Sequence, residues 1–324
     1  MTALLAVRRL SIHFRTVRGL ISAVEDFSFE IRKGQTVALV GESGSGKSTA
    51  ALSILRLVPE PGVIASGRIE FQGNNLIDLV PRKMRDLRGK SIAMISQDPL
   101  VALNPLHKIG TQLIEVMRVH TGAAYEEALD NAIESLRRVS MPDPEKTVEA
   151  YPHNLSGGMR QRAMIAMALM CQPQLLIADE PTTALDVTVQ AQVLALINQL
   201  RADLGMSVLL ITHDFGVVAE TAQRVVVMYA GRKVEEGPVG KIFDNPQHPY
   251  TQGLLQATRW EKSATGYVPE IRGSVVSPFE RRLQCDFVQR CPYAMRRCHV
   301  ERPPIYGSGT GHEVACFLLE GGPA

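Results

Sequence analysis

No stretch of this sequence approaches the roughly 18 consecutive apolar residues that a membrane-crossing helix requires. The candidate segments Val208–Ile211 and Val225–Met228 have the length of buried strands. The opening segment, Met1 to Arg9, lacks a basic region ahead of an apolar one, which argues against a secretory leader. Charge of one sign is also missing: 35 Lys and Arg against 33 Asp and Glu leave a net charge of +2. That balance falls short of a nucleic-acid-binding domain, a mixed solvated surface accounts for it, and nucleic acid is not an expected partner. There is no internal repeat and no long heptad stretch that would build a coiled-coil arm. Cysteine is scarce, five residues in 324, and in the reducing cytosol these are not expected to form disulfides. The chain is therefore expected in the cytosol, unless a partner holds it at a membrane.

What is present is globular in composition, 45% apolar and 21% charged, and 324 residues suffice for one large domain with an appendage. The start reads as strands, with alternation from Val24 to Phe29 and a Lys33-Gly34 turn. Val37–Val40 is a short apolar strand running into a glycine-rich loop, and a helix follows from about Lys47. Gly67 to Phe71 alternates again. From about residue 98 to 172 the texture becomes rich in Ala, Leu, Glu, Arg and Met, which reads as a helical insert containing a helix over Ala123–Arg138. Leu175–Ala178 is a strand ending in Asp179-Glu180. Val189, Val193, Leu196, Ile197, Leu200 and Leu204 share one face of the next helix, with Gly205 just past its end. Strands alternating with helices imply an α/β fold with a mainly parallel sheet. A rise in Pro, Cys and aromatic residues after about Gly237 places a boundary there, giving expected domains at 1–236 and 237–324.

Gly41-Glu42-Ser43-Gly44-Ser45-Gly46-Lys47-Ser48-Thr49 fits the phosphate-loop pattern G-x-x-x-x-G-K-[ST]. Backbone N–H groups must curl around a phosphate, which glycine permits, and the helix starting at Lys47 turns its positive end toward the anion. Lys47 is expected at the β- and γ-phosphates and the Ser48 hydroxyl on Mg²⁺. Downstream, the apolar strand pushes Asp179 and Glu180 to the sheet edge, where open α/β folds bind ligands. Asp179 is the candidate Mg²⁺ partner, and Glu180 the candidate base for an attacking water.

Leu155-Ser156-Gly157-Gly158-Met159-Arg160-Gln161-Arg162 decides between families. An ordinary N-cap explains Ser156 but not two glycines at a helix start, unless something approaches the backbone closely. The segment resembles the signature motif of the ABC (ATP-binding cassette) ATPases, with Met159 at the usual Gln place. In that family, the signature meets the γ-phosphate of ATP held by a second cassette. The resemblance thus implies two cassettes sandwiching two ATP molecules head to tail. It further implies that Gln97 is the Q-loop glutamine sensing Mg²⁺ and water, Ala184-Leu185-Asp186 the D-loop, and His213 the switch histidine at the γ-phosphate. Phe14 sits where an aromatic ring stacks on adenine. The implied fold is a P-loop ABC ATPase: a mainly parallel core sheet, an antiparallel β subdomain, a helical insert and a small Cys-rich C-terminal extension.

Cys285, Cys291, Cys298 and Cys316 give C-x₅-C-x₆-C-x₁₇-C. Four thiolates suit structural zinc or an iron–sulfur cluster, though the gaps are wider than usual zinc pairs. Cys171, among apolar neighbours, reads as a core residue. Asn245-Pro246-Gln247-His248-Pro249-Tyr250-Thr251 and Arg290-Cys291-Pro292-Tyr293 resemble the extension of the dipeptide, oligopeptide and nickel importer ATPases. That branch implies a [4Fe-4S] cluster on the four cysteines, with zinc as the alternative. It also implies two membrane permease subunits, a second and non-identical cassette, and an extracytoplasmic substrate-binding protein. The expected place is the cytoplasmic face of the inner membrane, and the insert from Asp98-Pro99 is the region expected to receive a permease helix. The expected activity is ATP hydrolysis driving uptake of peptides or a related small solute. The alternative is a soluble ABC-type ATPase acting on nucleic acid or the ribosome.

Overall fold

The computed structural model describes residues 3–182, 186–258, 271–279, 283–307 and 311–320. In chain order its elements are β1 (Ala3–Thr16), β2 (Gly19–Arg32), β3 (Thr36–Val40), α1 (Lys47–Ile54), β4 (Gly62–Phe71), β5 (Asn74–Asn75), α2 (Pro81–Leu87), β6 (Ile92–Ile95), α3 (Pro99–Ala102), α4 (Ile109–Thr121), α5 (Tyr125–Arg138), α6 (Pro144–Thr147), α7 (Gly157–Leu169), β7 (Leu175–Asp179), α8 (Val187–Leu204), β8 (Ser207–Thr212), α9 (Phe215–Thr221), β9 (Arg224–Tyr229), β10 (Arg232–Pro238), α10 (Val239–Asp244), α11 (Pro249–Thr258) and β11 (Glu313–Val314). They fall into two units, one of residues 1–32, 36–77 and 212–324, the other of residues 33–35 and 78–211.

In the first unit, an antiparallel sheet runs in the order β2-β1-β4-β5. The alternation expected over Val24–Phe29 is interrupted. Asp26 takes φ 49, the register with β1 shifts between Leu10 and Ile12, and Val24 and Phe27, three apart, are both fully buried. A bulge turns the strand so that its apolar residues keep facing inward. The same unit holds strands in the order β11-β10-β9-β3, with β3 parallel to β9 and the outer pairs antiparallel. Its core gathers Val40, Val227 and Tyr229 from these strands with Tyr250 and Phe287 from the tail. The Tyr229 and Tyr250 rings meet edge-on at 4.7 Å, and Phe287 meets Tyr229 at 5.2 Å. Burying such rings contributes on the order of 2 kcal/mol each. β11 adds to β10 through Glu235↔Val314 and Glu236↔Glu313. The segment beyond residue 237 thus shares both core and sheet with β9 and β10.

In the second unit β6, β7 and β8 are parallel, and every residue of β7 and β8 is buried. That explains their unbroken apolar runs: parallel strands covered on both faces have no polar side to show. The expected insert is helical, and Ala128, Ala132 and Leu136, spaced by four, form the buried stripe of α5. α8 starts where the Asp186 carboxylate accepts from the Val189 N–H at 2.9 Å and ends at Gly205 in the left-handed region, φ 61. Its buried face centres on Val193, Leu196, Ile197 and Leu200. Cys171 departs from expectation. α7 ends at Leu169, the chain reverses through Gln172 at φ 49 toward β7, and Cys171 is left half-exposed on that turn rather than in the core.

Candidate functional site

The glycine-rich segment of the first unit forms a ring closed by its own lysine. Lys47, 5% exposed at the start of α1, donates from Nζ to the Gly41 carbonyl at 2.7 Å and the Glu42 carbonyl at 3.0 Å. A Cβ on Gly41 would lie 2.1 Å from the Met228 carbonyl oxygen, and a Cβ on Gly46, at φ +99, would lie 2.7 Å from the Ala23 carbonyl oxygen. Neither position admits a side chain, because β9 and β2 back directly onto the loop. Ser45 is 1% exposed, and its Oγ has no hydrogen-bond partner among the described residues. Ser43, Gly44 and Ser48 lie on the open rim, with Thr49 half-buried behind them. An ammonium, an orphaned buried hydroxyl, and a helix N-terminus at an exposed rim fit a bound phosphate, and a rim hydroxyl fits its Mg²⁺. His213 is exposed beyond the end of β8, just before Asp214, whose carboxylate caps α9 by accepting from the Gly216 N–H at 2.8 Å. Phe14 is half-buried, and its ring lies over Gly62, where a Cβ would come within 2.7 Å of it.

The second unit holds the other expected residues. Asp179, at the end of β7, is 6% exposed. Glu180 leaves the strand with φ 46, an uncommon conformation for a residue with a side chain. Its N–H donates to the Ile211 carbonyl at 2.9 Å. Gln97 Nε2 donates to Glu180 Oε2 at 3.2 Å, so two residues 83 positions apart meet. Ser156 caps α7, its Oγ accepting from the Met159 N–H at 3.3 Å. The two glycines after it have different surroundings. A Cβ on Gly158 would sit 3.1 Å from Val189 Cγ1, so packing against α8 already calls for glycine there, whereas a Cβ on Gly157 would meet nothing within 4 Å among the described residues. Of the expected D-loop, Asp186 is the α8 cap, while Ala184 and Leu185 lie outside the described residues.

Comparison with known proteins settles the family. Residues 24–183 match the ABC transporter family model, and residues 234–298 match the oligopeptide/dipeptide transporter C-terminal region. A probable peptide ABC transporter ATP-binding protein of Sinorhizobium fredii is 48% identical over 316 residues, 97% of this chain and 94% of that protein. The chain belongs to the ABC transporter family. It is an ATP-binding subunit of that family, with an ABC ATPase fold. A dipeptide transport ATP-binding protein of Haemophilus influenzae is 43% identical over 97% of this chain and 95% of its own length. Among solved structures, a dimeric ATP-binding cassette in a post-hydrolysis state with ADP and phosphate bound superposes with a TM-score of 0.66. It is 25% identical and covers 72% of this chain and 98% of its own.

The four tail cysteines are free and line one narrow apolar cavity with Phe287 and Val288. The Cys285 N–H donates to the Cys298 carbonyl at 2.9 Å. Burial pushes the Cys285 thiol up to about 12 and raises Cys291 and Cys316 as well. Among the described residues, no group of three or more His, Cys, Asp or Glu side chains is arranged to hold a metal ion. A zinc ion needs four ligand atoms within about 2.3 Å of one point, and the thiols as they stand do not provide that.

Four contacts around the phosphate loop carry no local sequence signal. The Glu42 carboxylate, in the phosphate loop, forms a two-pronged pair with Arg290, at 2.7 Å from Nη1 to Oε2 and 2.9 Å from Nη2 to Oε1. The Glu42 N–H donates to the Tyr250 hydroxyl at 2.8 Å. Arg290 also donates to the Ile271 and Arg272 carbonyls at 3.1 and 3.0 Å.

Proposed function

We propose that this chain powers the uptake of peptides, or of a related small solute, as the ATP-hydrolysing subunit of an importer. The observation that carries the reading is the Gln97–Glu180 hydrogen bond at the end of a buried carboxylate strand, in a chain that also forms a lysine-closed phosphate loop. Gly41, Ser43, Gly44, Ser45, Gly46, Lys47, Ser48 and Thr49 hold the nucleotide phosphates. Phe14 faces the adenine. Ser48, Gln97 and Asp179 serve the Mg²⁺ ion, which screens the phosphate charge during hydrolysis. Glu180 takes the proton from the attacking water and His213 contacts the γ-phosphate.

Ser156, Gly157 and Gly158 meet the γ-phosphate held by a second, non-identical cassette. The open space over Gly157 supports this, since none of the described residues fills it. The ATPase domain spans 1–236 and the extension 237–324. Two permease subunits dock on the insert, where Val101 and Leu106 are more than 80% exposed, and a substrate-binding protein delivers cargo outside. The chain sits at the cytoplasmic face of the inner membrane, held there by the permease subunits; among the described residues no helix is long and apolar enough to cross a membrane. The relatives named for peptide and dipeptide transport support the cargo class. The shared cavity and the Arg290-Cys291-Pro292-Tyr293 resemblance support a [4Fe-4S] cluster on the four thiols. The thiols do not form a ligand set as they stand, and no step of hydrolysis is routed through the cluster.

The test is ATP hydrolysis by the chain alone, and then with its permease and companion cassette in lipid. A large gain on assembly that Lys47→Ala abolishes supports the reading. Equal rates alone and assembled would move the soluble-ATPase alternative to the front.

A further inference from the structure

The phosphate loop begins with a residue that ought to weaken it. Glu42 follows the first glycine of the motif, and a carboxylate there opposes a phosphate by direct repulsion. The structure answers that charge from the far end of the chain. Arg290 is 248 residues away, its side chain is 5% exposed, and it meets both Glu42 oxygens in the fork geometry that only guanidinium provides. It is fixed in turn by the Ile271 and Arg272 carbonyls, and its guanidinium lies 5.8 Å from the Tyr229 ring centroid and 5.9 Å from that of Phe287. Tyr250 holds the same residue by its backbone, accepting the Glu42 N–H at 2.8 Å. Tyr250 itself is fully buried, wedged edge-on against Tyr229. The Glu42 carbonyl accepts from Lys47 at 3.0 Å, so side chain, N–H and carbonyl are all fastened.

We propose that Arg290 and Tyr250 are positioning residues for the phosphate loop: by neutralising and anchoring Glu42, the C-terminal extension sets the loop's affinity for MgATP. This rests on the reading of residues 41–49 as the MgATP site. Neither residue is expected to touch nucleotide. Both act through Glu42, the second residue of the loop. The N–H given to Tyr250 is withdrawn from the phosphate cradle, leaving the later N–H groups of the loop to bind the anion.

The experiment measures MgATP binding to the purified full-length chain by calorimetry, and KM and kcat of the assembled transporter, for Arg290→Ala, Arg290→Lys, Tyr250→Phe and Glu42→Gln. Losing a charge-assisted partner and stranding a carboxylate beside the loop should weaken MgATP about tenfold in Arg290→Ala. Arg290→Lys, which keeps charge but not the fork, should fall between. The rise should appear in KM, with kcat moving much less. In a Glu42→Gln background, removal of Arg290 should cost at most about twofold, because no carboxylate is left to strand. Tyr250→Phe keeps the buried ring and deletes only the acceptor, and it should weaken binding if Arg290→Ala does not fold. Wild-type MgATP affinity in both Arg290→Lys and Tyr250→Phe, or a loss in Arg290→Ala undiminished by Glu42→Gln, would overturn the proposal. Lys47→Ala separates the two levels: if it also binds MgATP normally, the site reading itself fails, whereas if it alone loses binding, only the clamp does.

Discussion

Replacing Glu180 with Gln removes a base while keeping a shape. Gln97 donates to Glu180 Oε2 at 3.2 Å, and the Glu180 N–H donates to the Ile211 carbonyl at 2.9 Å. An amide at position 180 still offers an oxygen to Gln97 and leaves the backbone bond untouched. The stability change is therefore expected to stay within about 1 kcal/mol, the net worth of one such hydrogen bond. The chemistry should change far more. A positioned general base contributes about 10²–10⁴ in rate, or roughly 3–5 kcal/mol at about 1.4 kcal/mol per decade. Reopening is expected to need hydrolysis while closure needs only MgATP. The variant should therefore bind MgATP, accumulate as a closed pair of cassettes in size-exclusion chromatography, and turn over at least a hundredfold more slowly in the lipid-reconstituted transporter. Turnover within about threefold of the unmodified protein would take Glu180 out of the chemistry. Failure to bind MgATP would show instead that Glu180 shapes the loop it leaves, whose φ of 46 already marks an unusual backbone.

The two signature glycines should separate. Gly157→Ala meets nothing within 4 Å among the described residues and should leave the melting temperature unchanged while cutting hydrolysis by the assembled transporter at least about tenfold, whereas Gly158→Val, whose Cβ starts 3.1 Å from Val189 Cγ1, should cost about 1–3 kcal/mol in thermal unfolding. Acid stability should fall in part through Glu25. Burial opposes its ionisation, but Arg232 and Arg302 (2.9 Å) together outweigh that and hold its carboxyl below the ordinary value. Its stabilisation is thus full above pH 4.5 and lost as pH falls through the lowered value, and Glu25→Gln should reduce stability by about 1 kcal/mol at pH 7 and flatten the acid limb of a melting-temperature profile. If the four thiols carry a [4Fe-4S] cluster, anaerobically purified protein should contain iron and acid-labile sulfide and be brown, and Cys298→Ser should bleach it; colourless protein holding stoichiometric zinc would refute the cluster.

What could be read from sequence was local. The phosphate loop, the Asp179-Glu180 strand end and the Gly205 end of α8 each need particular residues at fixed short spacings, so their chemistry is written consecutively. Glu180 reads from its place at an apolar strand end, whereas Gln97 has a role only through the resemblance, and their hydrogen bond is visible only in the structure. Where burial depends on a backbone event, reading failed. The bulge at Asp26 hides the true inward set of β2, and the turn through Gln172 brings Cys171 out of the core that its apolar neighbours suggested. The Glu42–Arg290 pair was invisible for another reason. Position 42 is an unconstrained place in the motif, and nothing near residue 290 indicates that its partner lies on a loop 248 residues earlier.

Yet the tail segments that carried the resemblance, around Tyr250 and Arg290, are the ones whose side chains reach the loop. That gives a physical reason for those residue types which the thiols alone do not. A loop carrying a carboxylate beside its first glycine needs a cation held rigidly against it. A surface lysine would be screened and mobile, so a buried guanidinium on a packed extension is the better answer. The requirement runs both ways: Arg290, 5% exposed, would be a costly buried charge without Glu42. The two positions are therefore expected to change together among relatives, an uncharged residue at 42 travelling with loss of the arginine at 290. An alignment in which the arginine persists regardless of position 42 would place its purpose in the extension's own packing, and would count against the coupling of tail to loop.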